Sequence, residues 1–110
     1  MISIKQGDRR PAAPATLKHG STVVDLTLAT SVTFLMTEQS ETELRIRAAA
    51  TVLSAVDGTV EYRWAPGDTD IPGKYWVEWE VLWSDGTTET FPTVIPDVAI
   101  IYGDLDGRAG

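Results

Sequence analysis

The stretch Lys74-Tyr75-Trp76-Val77-Glu78-Trp79-Glu80-Val81-Leu82-Trp83-Ser84 reads as the longest strand of the protein, and its alternation decides the fold class. Successive side chains of a strand point to opposite faces. Tyr75, Val77, Trp79, Val81 and Trp83 therefore share one side, and Lys74, Trp76, Glu78, Glu80 and Leu82 share the other. The first stripe is too apolar to face water and is expected to form the core face. Pro72-Gly73 opens the run, and Asp85-Gly86 closes it as a hairpin turn into a strand over 87–91.

The same two-residue rhythm extends outward in both directions. Upstream, Val60, Tyr62 and Trp64 alternate with Glu61 and Arg63 after the turn pair Asp57-Gly58, and Ala65-Pro66-Gly67-Asp68 breaks that strand. Residues 31–37 place Val32, Phe34 and Met36 on one face, and 38–43 reads as a polar loop. Shorter runs stand at 2–4, 15–18 and 23–26, punctuated by Gly7-Asp8 and His19-Gly20. Downstream, Pro92 and Pro96 bracket a bend before a last strand over 97–102. Residues 44–56 are ambiguous, because Leu44, Ala48, Ala49 and Val52 fit a helix face as well as a strand. About eight short strands with no convincing helix predict an all-β sandwich.

A local motif narrows this further. Asp70-Ile71-Pro72-Gly73-Lys74-Tyr75 has the shape of a tyrosine corner, with an acid and a glycine just ahead of a tyrosine that opens a strand. In immunoglobulin-like sandwiches that tyrosine folds back, and its hydroxyl bonds the backbone upstream. Two residues later, where antibody domains carry a cysteine, this chain has Val77. The expected fold is thus an immunoglobulin-like β-sandwich of about seven to nine antiparallel strands, with one domain over 1–102 and a polar, glycine-rich tail over 103–110.

Composition bounds the function. The chain has 110 residues, 43% hydrophobic and 23% charged, and no cysteine, so disulfides, thiolate metal sites and cysteine nucleophiles are excluded. It carries 9 basic against 16 acidic residues, a net charge of −7. That sign argues against nucleic acid and anionic membranes as partners. Arg9-Arg10 and the Arg45, Arg47 pair are the only basic clusters along the chain. The N-terminus lacks the apolar stretch of a signal peptide, which points to synthesis in the cytoplasm.

Candidate chemistry is sparse. His19 is the single histidine, and no neighbour in sequence supplies the partner that acid–base catalysis needs, so it reads as a solvated turn residue. There is no Gly-x-Ser-x-Gly elbow and no phosphate loop. Asp68 with Asp70, and Asp104 with Asp106, are acid pairs in turns that could contribute to a calcium site, but neither has the further oxygens calcium requires. Glu78 and Glu80 lie about 7 Å apart on one strand face, a spacing compatible with glycosidase carboxylates and equally with the wet face of a strand. The expectation is a protein that is not an enzyme, with no metal, cofactor or catalytic residue.

Several segments together resemble the immunoglobulin-like N-terminal domain of tailed-phage baseplate upper proteins, a family with small stand-alone members. They are Ile4-Lys5-Gln6-Gly7-Asp8, Ala15-Thr16-Leu17, Val24-Asp25-Leu26-Thr27, Val32-Thr33-Phe34-Leu35-Met36 and Gly58-Thr59-Val60-Glu61-Tyr62-Arg63-Trp64. The most specific part runs from Gly67-Asp68-Thr69 through Gly73-Lys74-Tyr75 and Glu78-Trp79-Glu80-Val81 to Asp85-Gly86 and Thr90-Phe91-Pro92. The resemblance covers roughly residues 2–101 and implies a virion setting, in the tail tip or baseplate, in multiple copies beside other virion proteins. It brings no catalytic residue, and the receptor-binding docking role of the longer proteins does not transfer with it. A capsid decoration or head–tail joining protein and a carbohydrate-binding module are the alternatives.

Trp76 is the residue folding explains least. It falls on a charged strand face with Glu78, Glu80 and Leu82, and tryptophan is enriched at binding hot spots. The expectation is a contact surface anchored by Trp76 and Leu82 with Glu78 and Glu80 as its polar rim; the competing reading has Trp76 packing under a loop or a terminal segment.

Overall fold

The computed structural model describes residues 1–92 and 96–105. Eleven strands run along them: β1 (Ile2–Lys5), β2 (Ala13–Thr16), β3 (Lys18–His19), β4 (Thr22–Val23), β5 (Ala29–Glu38), β6 (Ile46–Ala49), β7 (Thr51–Ser54), β8 (Thr59–Tyr62), β9 (Gly73–Trp83), β10 (Thr88–Phe91) and β11 (Asp97–Tyr102). The described residues contain no helix. The count exceeds the expected seven to nine because long stretches of extended chain are interrupted. Leu17 separates β2 from β3, and the ambiguous residues 44–56 supply two strands, β6 and β7.

β9 is the axis of the larger sheet, whose order is β1-β11-β9-β5-β6. β5 pairs along almost its whole length, from Trp83 down to Tyr75. On its other side β11 takes the first half, opposite Gly73 to Val77, and β10 takes the second, opposite Trp79 to Leu82. A three-stranded sheet, β2-β8-β7, is separate, and β3 with β4 forms a small hairpin. The expectation of purely antiparallel strands is corrected at one edge, where β1 pairs β11 in parallel, with Ile2 opposite Ala99 and Ile4 opposite Ile101. The chain reverses between β1 and β2 at Gln6-Gly7-Asp8 and joins the other sheet, so the first strand is free to align with the last.

The core stripe of β9 is where the alternation places it. Tyr75, Val77, Trp79 and Val81 are buried, while Trp83, near the hairpin end, is half-buried. Trp83 turns its indole N–H to Glu89 Oε1 at 3.2 Å, which satisfies the donor where the core opens to solvent. Opposite these residues the three-stranded sheet contributes Ala13, Val60 and Tyr62. Phe34 of β5 joins the two sheets: its ring stacks on Tyr62 at 4.4 Å and meets Trp79 at 4.9 Å and Trp64 at 5.8 Å in edge contacts. Two sheets with their apolar faces joined by one aromatic cluster make a sandwich-like globule.

The ambiguous segment 44–56 resolves into β6 and β7, with Ala50 alone between them. β6 pairs β5 of one sheet and β7 pairs β8 of the other, and the Ala50 N–H donates to Val32 O at 2.9 Å. A strand that changes sheets in one residue also changes which side faces inward. Its apolar residues then lose the two-residue period, which is why Ala48, Ala49 and Val52 fit a helical spacing.

Candidate functional site

The tyrosine corner is built from the loop before β9. The Tyr75 hydroxyl donates to Ile71 O at 2.6 Å, and the ring is fully buried. Burial pushes the phenol above its ordinary pKa; Arg45 opposes that shift and Glu38 adds to it. Gly73 lies beneath the ring at φ 154°, with Tyr75 Cε2 3.7 Å from where a Cβ would stand. Asp70 takes part through its backbone, whose carbonyl accepts from Gln6 Nε2 at 2.9 Å. Its carboxylate does not join the hydroxyl bond. The loop is therefore held from both sides, by Tyr75 and by the segment after β1, where Thr69 Oγ1 also donates to Asp8 O at 2.7 Å.

Asp68, a member of the proposed acid pair, serves this loop. Its Oδ2 accepts from the Tyr62 hydroxyl and from the Ala65 N–H at 2.8 Å. Desolvation, then the Asp68 carboxylate, push the Tyr62 phenol far above its ordinary value. Among the described residues no three of His, Asp and Glu gather as metal ligands. Asp106 lies outside the described residues.

His19 is exposed beside its turn, as expected, and its partner comes from far along the chain. Its Nε2 stands 2.5 Å from Glu89 Oε2, and the ring lies 5.3 Å from that of Phe91. The carboxylate that binds it also accepts from Trp83, so β3 is latched onto β10. Seventy positions separate His19 from Glu89, and no local sequence signal joins them.

The outer face of the larger sheet carries Trp76, which is 37% exposed. Its cross-strand neighbours are Thr37 on β5 and Val98 on β11. The next row puts Ile100 beside Lys74, and the row on the other side puts Leu35 between Arg47 and Glu78. Leu35 is only 9% exposed although the alternation with Phe34 and Met36 puts it on the outward face. Glu80 in the following row pairs with Arg47 at 3.1 Å. Leu82 does not flank Trp76: six residues along a strand is about 20 Å, and the two glutamates lie between. The apolar neighbours of Trp76 are Val98 and Ile100. Residues 97–102 held a signal for them, since Val98 and Ile100 alternate with Ala99 and Ile101 and leave both faces of that strand apolar.

Geometry thus defines a small all-β protein with two packed sheets and an apolar patch on the outside of the larger one. The sequence matches no protein-family model and no curated protein.

Proposed function

We propose that the protein is a non-enzymatic structural module of a tailed-phage virion, in the tail tip or baseplate, which docks on neighbouring virion proteins through the face around Trp76. The observation that carries the docking is the row Trp76–Val98: a half-exposed indole beside an apolar residue of the next strand, in a sheet whose other face already fills the core. Scattered apolar residues are normal on a surface, but a half-exposed tryptophan beside Val98 and Ile100 is the composition of an interface centre. Arg47, Glu80, Glu78 and Lys74 surround it with both signs of charge, which favours a defined docking orientation.

The fold's finer identity belongs to the same proposal. If β2, β8 and β7 are strands B, E and D, and β5, β9 and β10–β11 are C, F and G, then the strands share out as in immunoglobulin-like sandwiches. The tyrosine then opens strand F, where such domains place it. The virion setting rests on the resemblance of residues 2–101 to the baseplate family.

Trp76→Ala tests the function. Thermal stability should stay near that of the wild type while incorporation into purified virions falls several-fold. A large drop in melting temperature, or normal incorporation, would assign Trp76 to the fold. Saturable binding of Trp76 to an oligosaccharide would favour the carbohydrate-binding alternative.

A further inference from the structure

We infer that Arg9, Arg10 and Arg63 form a binding site for a phosphomonoester, on the opposite sheet from the Trp76 face and independent of the docking proposed there. The three line one cleft of about 460 Å³ together with Ala12, Glu61 and Trp64. That volume lies within the range of small-ligand sites, roughly 300–1,000 Å³. More than fifty residues separate Arg63 from the Arg9-Arg10 pair, and the pairing of β2 with β8 brings them together.

Two of the guanidiniums are positioned by their inner nitrogens. Arg9 Nε donates to Trp64 O at 3.0 Å, and the Trp64 indole N–H donates back to Pro11 O at 3.2 Å, which straps residues 9–11 onto the end of β8. Arg63 Nε donates to Glu61 Oε2 at 2.8 Å. An arginine held through Nε keeps its Nη pair, the fork that grips an oxyanion by two parallel hydrogen bonds. Arg10 makes no hydrogen bond or ion pair to the described residues and adds a third, adaptable fork.

Charge selects the ligand class. Three guanidiniums against the one carboxylate of Glu61 leave two positive charges in the cleft of a protein whose net charge is −7. Gathering like charges opposes folding, and an anion bound among them relieves that repulsion. A phosphomonoester carries about −1.5 to −2 at pH 7, which matches the excess, whereas a single carboxylate neutralises half of it.

The test is a titration of the isotope-labelled full chain with inorganic phosphate, followed by backbone amide shifts with chloride balancing the ionic strength. Shifts should saturate and centre on residues 9–12 and 61–64. Arg10→Gln, at an exposed position, and Arg63→Gln should each weaken binding about tenfold, which corresponds to about 1.4 kcal/mol. Binding should strengthen as pH rises through about 7, where inorganic phosphate takes its second charge, about a unit above the phosphomonoester value of about 6. The site is overturned if chloride alone reproduces the shifts, or if both variants bind phosphate as the wild type does. Succinate binding as tightly as phosphate, or saturation by a DNA duplex without saturation by phosphate, overturns the phosphomonoester assignment.

Discussion

The hydroxyl of Tyr75 reaches back to the carbonyl oxygen of Ile71 at 2.6 Å and ties the start of β9 to the loop that delivers it. The ring is fully buried, so its hydroxyl has this bond in place of water. Tyr75→Phe leaves the Ile71 carbonyl without its donor and should cost roughly 1–2 kcal/mol in chemical denaturation. Tyr75→Ala removes the ring as well and should cost more, about 3–5 kcal/mol. Equal midpoints for Tyr75→Phe and wild type would show that the hydrogen bond adds nothing to stability.

Phe34 touches three other rings and belongs to both layers of the core through its stacking on Tyr62. Phe34→Ala should destabilise the fold by about 3–5 kcal/mol, the range for a large aromatic whose cavity cannot collapse. Phe34→Leu should cost visibly less, because it keeps much of the volume. Near-identical unfolding midpoints for the two variants would mean that retained apolar volume does not help and that the cluster depends on the shape and contacts of the ring itself.

Gly58 combines two constraints. Its φ is +67°, and a Cβ there would stand 2.5 Å from Val24 O and 3.1 Å from Leu17 O. Both neighbours are backbone, and Leu17 N–H donates to the Gly58 carbonyl at 2.8 Å, so none of them yields easily. Left-handed backbone alone costs a residue with a Cβ about 1–2 kcal/mol, and the clash adds to it. Gly58→Ala should therefore lower stability by at least about 2 kcal/mol. Gly20→Ala is the control: φ is also positive, at +60°, but nothing lies within 4 Å of its Cβ position. It should cost clearly less in the same thermal melt.

Asp25 and Asp85 repeat one turn. Each carboxylate accepts the side-chain hydroxyl and the backbone N–H two residues on, from Thr27 and Thr87 respectively. Those bonds hold both carboxyls below their ordinary value of 3.8. A group that is more acidic folded than unfolded adds stability above its unfolded value and loses it as the pH falls through the folded one. The double variant Asp25→Asn with Asp85→Asn should thus show a shallower loss of melting temperature as pH drops below 3.8. An acid limb as steep as the wild type's would shift that dependence to other carboxylates.

Strand type, turn positions and the tyrosine corner are legible in the amino-acid order because each depends on neighbours a few residues apart. Alternation over residues 74–84 places Tyr75, Val77, Trp79 and Val81 in the core, and Asp85-Gly86 marks the hairpin, where Gly86 adopts φ 87°. Residues 97–102 form a strand with the bounds the sequence indicates. The segment 44–56 was not legible, since Ala50 hands the strand from one sheet to the other and breaks the period.

What tertiary structure alone decided is which distant residues stand side by side. Val98 beside Trp76, Glu89 against His19, and Arg63 in one cleft with Arg9 and Arg10 all follow from strand pairing and packing between segments remote in sequence. Alternation is a property of one strand and says which face a side chain takes. Register and sheet order belong to pairs of strands, and they are set by how the whole core closes. The sequence by itself therefore determined which side of its strand Trp76 occupies; the closing of the sheets chose its neighbours.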